Sequence, residues 1–163
     1  MSPIEITVQA LVDAPAERTW HFYTDPAHVL RWSAPHEGLR CTRAKTELRP
    51  GGRHVGRFEA LDGSYTYDYG GDVIAVQAPR RLAIALDDGI SMETRLQPDG
   101  ARTWVTTVFH GAPEVEQGMQ RSLWQAVLDN FRDYVAARQA EAKALADSRA
   151  EAARRSEAAR RGR

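Results

Sequence analysis

The stretch Pro113–Arg138, PEVEQGMQRSLWQAVLDNFRDYVAAR, decides how the rest of the chain is read. It is the longest apolar-periodic segment in the sequence. Leu123, Trp124, Val127, Leu128, Phe131, Tyr134 and Val135 recur at steps of one, three and four, a spacing that puts a wide apolar stripe on one helix face. Gln125, Asp129, Arg132 and Asp133 fall mostly on the opposite, solvated face. Pro113 suits a first-turn position, and Glu114 and Glu116 place negative charge where the helix dipole favours it. One amphipathic helix cannot bury such a stripe by itself. Its partner surface has to come from the residues before it, and those read mostly as β-strand.

Ile4, Ile6, Val8, Ala10 and Val12 alternate with Glu5, Thr7 and Gln9, the period-two pattern of a half-buried strand. Ala14-Pro15 then opens a short helix to Thr24, with Trp20 and Tyr23 three apart. Asp25-Pro26 starts a second one, Asp25 as cap and Pro26 at the first helical position, ending near Trp32. From Leu39 onward the punctuation changes. Gly51-Gly52, Asp62-Gly63, Gly70-Gly71, Asp88-Gly89 and Asp99-Gly100 supply turn chemistry at roughly ten-residue intervals, the spacing of an antiparallel meander. Strands are expected near 40–48, 53–61, 65–76, 81–87, 91–97 and 102–110. One strand, two short helices, six strands and a long helix fold most economically as an α+β helix-grip. In it a curved antiparallel sheet wraps the long helix, leaves a cavity between them, and has the short helices closing one end.

The chain of 163 residues is long enough for one such domain plus an appendage. The domain is expected over residues 1–138 and a charged Ala/Glu/Arg-rich tail over 139–163. From Glu141 onward there are seven basic and four acidic residues, so the neutral total leaves the first 140 residues with three surplus negative charges. That distribution argues against a nucleic-acid reader. Large apolar residues stop after Leu145, so the tail is expected to fray or to project as a continuation of the long helix. No apolar run approaches the ~20 residues of a membrane span. The opening MSPIEITVQA lacks a signal-peptide pattern, and the expectation is a cytoplasmic protein. Cys41 is the single cysteine, which excludes an intrachain disulfide and a cysteine-based zinc site.

The segments VDAPAERTWHFYTDPAHVLRW (Val12–Trp32), ELRPGGRHVGRF (Glu47–Phe58), GDVIAVQAPRRLAIAL (Gly71–Leu86), ETRLQPDGARTWVTTVFHG (Glu93–Gly111) and WQAVLDNFRDYV (Trp124–Val135) share an order with a known family. Through them the chain resembles the START-like (SRPBCC) superfamily, in its branch of proteins like the activator of heat-shock-chaperone ATPase and of polyketide-cyclase-like proteins. The resemblance covers nearly all of residues 4–138. It departs at Ser33, where the family commonly doubles the tryptophan, and at Leu123, where a glycine is usual. The resemblance implies the helix-grip fold and binding of hydrophobic small molecules, with some members catalysing cyclisation or dehydration.

Tyr65, Tyr67 and Tyr69 alternate along one strand, so their rings share a sheet face. They either line the cavity or form an aromatic ladder on the outside, since the period alone does not say which face is concave. His54 shares its face with Gly56 and Phe58, and His110 shares its face with Trp104, Thr106 and Val108, a candidate pocket wall. Either histidine could donate a hydrogen bond or shuttle a proton, or be an ordinary surface or structural residue. Trp32 is the candidate lid, with a helix-to-sheet core anchor as its alternative. Together with Trp124 on the helix stripe, the candidate ligand-binding set is Trp32, His54, Tyr65, Tyr67, Tyr69, Trp104, His110 and Trp124.

His21, His28, His36, His54 and His110 show no metal-ligand spacing. No phosphate loop, dinucleotide fingerprint or nucleophile elbow is present. Neither metal nor cofactor is expected. The leading function is binding of an apolar or aromatic small molecule between sheet and helix. The alternatives are a polyketide cyclase/aromatase-like enzyme and a protein-interaction or chaperone-regulating module. The expected partner is the small molecule, without nucleic acid or membrane, and a homodimer through the tail stays open.

Overall fold

The computed structural model describes residues 4–112 and 117–162. The alternating N-terminal segment forms β1 (Ile4–Val12), with Ile6, Val8, Ala10 and Val12 buried. Two short helices follow, α1 (Ala16–Thr24) and α2 (Pro26–Trp32). Asp25 divides them as its position predicts: its Oδ1 accepts the Ala27 N–H at 2.9 Å, and Pro26 occupies the first turn. Then come β2 (Leu39–Thr46), β3 (Arg53–Ala60), β4 (Thr66–Gln77), β5 (Arg81–Leu86), β6 (Ser91–Asp99) and β7 (Arg102–Ala112), and the long helix α3 (Gln117–Arg161).

The strands form one antiparallel sheet in the order β1-β7-β6-β5-β4-β3-β2. Every neighbour is consecutive in sequence except β1, which closes against β7. The sheet curls around α3, whose Leu128, Phe131 and Val135 are buried in its hollow with Val8, Ile84, Val105 and Phe109 from the strands. Phe131 is 0% exposed and meets Trp32 and Tyr23 edge to face, at ring centroid distances of 4.8 and 5.4 Å. This is the expected α+β helix-grip. Gln125, placed on the solvated face by its spacing, instead seals the edge of β1. Its Nε2 donates to the Gln9 carbonyl at 3.0 Å and its Oε1 accepts the Gln9 N–H at 3.4 Å.

Two expectations change. Gly70-Gly71 is not a turn but lies inside β4, because the curl brings neighbouring backbones unusually close. A Cβ at Gly71 would stand 2.3 Å from the Ala85 carbonyl oxygen, and one at Gly70 would stand 2.6 Å from that of His54. Leu123, assigned to the buried stripe, is 41% exposed. Of the two expectations for the tail, the structure shows the continuation: α3 runs without a break to Arg161, with residues 141–162 all exposed. The capping roles expected of Pro113, Glu114 and Glu116 fall outside the described residues.

Candidate functional site

Between α3 and the hollow of the sheet lies a cavity of about 210 Å³, partly open to solvent. Alternation along β3, β4 and β7 decides what reaches it. On β3 the inward positions are His54, Gly56 and Phe58, and on β4 they include Tyr67 and Tyr69. On β7 they are Thr107 and Phe109, from the buried set Thr103, Val105, Thr107 and Phe109. From the helices come Tyr23, Trp32, Trp124 and Val127, and Leu123, 41% exposed, also borders the cavity.

Five of the eight candidate residues therefore line the cavity: Trp32, His54, Tyr67, Tyr69 and Trp124. Trp32 forms part of the cavity wall. It is 7% exposed, its Nε1 donates to the Phe22 carbonyl at 3.0 Å, and its ring stacks on Tyr23 at 5.3 Å. Trp124 lies flat on Phe109 with ring centroids 3.6 Å apart.

Trp104, His110 and Tyr65 lie off the cavity. The face that Trp104 shares with His110 is the convex one, because Val105 and Phe109 between them are the residues buried under α3. His110 sits at the surface, its Nδ1 3.5 Å from the Glu5 carboxylate. Tyr65 precedes the first residue of β4 and stacks on Tyr67 from outside, at 6.3 Å. Tyr23, Phe58 and Thr107 were missed as cavity residues. The period-two pattern of β7 was visible for Thr107, but only the buried partners of β7 tell its two faces apart.

Among the described residues no Asp, Glu, Lys or Arg lines the cavity. Its polar groups are neutral. Tyr23 Oη lies 2.9 Å from Thr94 Oγ1, which lies 2.8 Å from Thr107 Oγ1. Burial pushes the Tyr23 and Tyr69 phenols up, so both stay protonated at neutral pH. Tyr69 Oη donates to the Met92 sulfur, at 3.5 Å. His54 Nδ1 lies 2.8 Å from Thr46 Oγ1. Desolvation, then the neighbouring Arg53 guanidinium, pushes His54 down to about 4. Among the described residues, the Ser33 hydroxyl is buried without a hydrogen-bond partner. Such a site can enclose an uncharged apolar molecule and offer it a few oriented neutral hydrogen bonds. Among the described residues no cluster of three or more His, Cys, Asp or Glu is placed to hold a metal ion.

Residues 13–136 match the family described as activator of Hsp90 ATPase homolog 1-like protein. No curated protein matches the chain. Among solved structures, an AHSA1-like protein from Aeromonas hydrophila shares 31% identity over 83% of this chain and 94% of its own, with a TM-score of 0.77. A protein from Cytophaga hutchinsonii shares 26% identity over 83% of this chain and 94% of its own, at 0.71. CalU16 from Micromonospora echinospora shares 25% identity over 92% of this chain and 85% of its own, at 0.62.

Proposed function

We infer that this chain, which belongs to the activator of Hsp90 ATPase homolog 1-like family of the SRPBCC superfamily, binds an apolar or aromatic small molecule in the cavity between sheet and α3. The observation that carries the reading is the lining itself: aromatic and aliphatic walls around about 210 Å³, with no charged side chain among the described residues. Pockets of this composition gain affinity from buried apolar area and orientation from a few polar atoms. Volume sets the scale of the occupant. A cavity of ~150 Å³ holds benzene and drug-sized ligands fill ~300 Å³ or more, so one or two fused rings fit here.

The cyclase alternative has less behind it. General acid–base catalysis needs a group poised near the working pH, and His54, held neutral down to about pH 4, is a poor proton acceptor at neutrality. Among the described residues no carboxylate stands beside it in the lining. Nothing in the cavity bears on chaperone regulation.

The uncharged two-ring dye 1-naphthylamine tests the reading. It should bind with saturable, one-to-one stoichiometry and quench tryptophan emission through Trp32 and Trp124. Gly56→Leu provides the control. A Cβ at Gly56 meets only ordinary contacts, 3.5 Å or more from its neighbours, so the added side chain projects into the cavity without a backbone clash. Dye affinity should fall at least tenfold in this variant while the melting transition is kept. Non-saturable binding to the parent protein, or equal affinity in the folded variant, would overturn the assignment.

A further inference from the structure

Strand β2, LRCTRAKT, carries Arg40, Arg43 and Lys45. In a regular strand the step of three would part Arg40 from the other two, on the opposite face. A bulge at Thr42 cancels the mismatch. Arg40 stands opposite Glu59 of β3, Arg43 opposite Arg57 and Lys45 opposite Val55, positions two residues apart on the partner strand. All three cations are exposed, and they lie on the convex face, because Cys41, Ala44 and Thr46 turn toward the cavity. They form one column at the ~7 Å repeat of alternate residues in an extended chain.

This column is the last of the sheet, since β2 pairs with β3 on one side and with no strand on the other. The neighbouring columns neutralise themselves. Arg57 Nε and Nη2 donate to Asp68 at 2.8 and 3.2 Å, and Arg53 donates to Asp87 at 2.9 and 2.7 Å and to Asp72 at 3.0 Å. Among the described residues Arg40, Arg43 and Lys45 form no ion pair, although Glu59 stands opposite Arg40. Arg43 faces Arg57 directly, an unfavourable pairing of like charges, and Asp68 is already bonded to Arg57 through both its oxygens. Beside Arg43 the outer face sinks over Gly70 into a depression of about 240 Å³, bordered by Asp68 and Asp87.

These charges select the partner. Two copies of this chain joined edge to edge along β2 would set the three cations against their own duplicates, so the edge repels itself. A nucleic acid suits it poorly too. Asp68 and Asp87 border the depression, and the first 140 residues carry three surplus negative charges. A strand with carboxylates at alternate positions matches the column in both sign and spacing, and the planar guanidiniums of Arg40 and Arg43 match the two oxygens of a carboxylate. We propose that β2 docks an extended acidic segment of another protein along its outer edge, with Asp or Glu side chains set against Arg40, Arg43 and Lys45. This surface lies on the convex face and stands independently of the cavity.

Fluorescence anisotropy of labelled heptapeptides with the full chain, at pH 7.5 and low salt, tests the proposal. TEVEVET places carboxylates at alternate positions, TEEEVVT holds the same residues in a block, and TKVKVKT reverses the charge. TEVEVET should bind saturably and at least fivefold tighter than TEEEVVT, with affinity falling as salt is added, and TKVKVKT should not bind. Arg43→Gln and Lys45→Gln should each weaken TEVEVET at least twofold, and the double variant at least fivefold. Both side chains are exposed and unpaired among the described residues, so these variants keep the fold. Arg154→Gln removes the same charge from the exposed tail and should leave the affinity unchanged. Absence of saturable TEVEVET binding, or full affinity in the folded double variant, would overturn the docking surface. Equal affinity for TEEEVVT would overturn the extended register. A loss in Arg154→Gln as large as in the double variant would reduce the effect to net charge and overturn the site. Tighter binding of a 12-nucleotide single-stranded DNA than of TEVEVET would overturn the choice of an acidic protein segment.

Discussion

His54 couples the cavity to the acid stability of the fold. Its ionisation is pushed down from 6.5 to about 4 in the folded protein, burial being the larger cause and the Arg53 guanidinium the smaller. Between those values the unfolded chain binds the proton and the folded one resists it, so stability falls as pH drops from about 6.5 toward 4. The wild type should lose roughly 2 kcal/mol from this group between pH 7.5 and pH 5. His28, also pushed down chiefly by burial, adds a loss in the same direction. Urea unfolding of wild type and His54→Gln at both pH values isolates the share of His54: the variant should lose about 2 kcal/mol less. Equal losses would mean that the ring is well solvated in the folded state. The sequence placed His54 beside Gly56 and Phe58 on one face, and that face is the concave one. The same reasoning put Trp104 and His110 on a pocket wall, and they lie on the outside. Period two states which residues travel together; which set is buried depends on where α3 sits, and that is a tertiary fact.

At the level of elements, α3 is what the hollow sheet closes on. Phe131 and Val135 are fully buried and Leu128 nearly so. Truncating Phe131 to Ala should cost about 3–5 kcal/mol and Leu128 to Ala about 2–5 kcal/mol, measured by urea unfolding. Losses near zero would mean that this stripe does not form the core. The stripe was legible because its period spans the whole segment. Its exposed end was not, since Leu123 keeps the apolar identity of a core residue while standing 41% exposed at the border of the cavity. The two short helices were legible from Asp25-Pro26, where cap and first-turn proline coincide. Gly70-Gly71 misled because the same residue pair suits a turn and a crowded strand, and only the neighbouring carbonyls distinguish the two.

On the scale of the whole molecule, the protein is a closed unit from which a polar helix extends. The last 20 or so residues of α3 expose every side chain, and their ties are i,i+4 ion pairs such as Glu151–Arg155 at 2.7 Å and Glu157–Arg161 at 2.6 Å. Exposed pairs of this kind contribute about 0.3–0.5 kcal/mol each, too little to hold a core together. A chain ending at Ala140 should therefore melt within a few degrees of the full one while losing helical ellipticity. A drop on the order of 10 °C would reveal contacts between copies through the tail. None of the described helices is long and apolar enough to cross a membrane. The sheet order has a separate consequence, for the route by which the fold assembles. Strands β2 to β7 pair as successive hairpins, each closed by a short local turn, but β1 must find β7 across a separation of about a hundred residues, with Glu5 opposite His110. Closing a loop of that length costs about 4 kcal/mol of chain entropy, against much smaller costs for each hairpin. The meander can zip from its turns at low contact order, whereas the first strand synthesised is the one whose pairing must wait longest. The N-terminal strand therefore emerges early and docks late, and the hydrophobic wall formed by its Val8 is completed only when nearly the whole chain is in place.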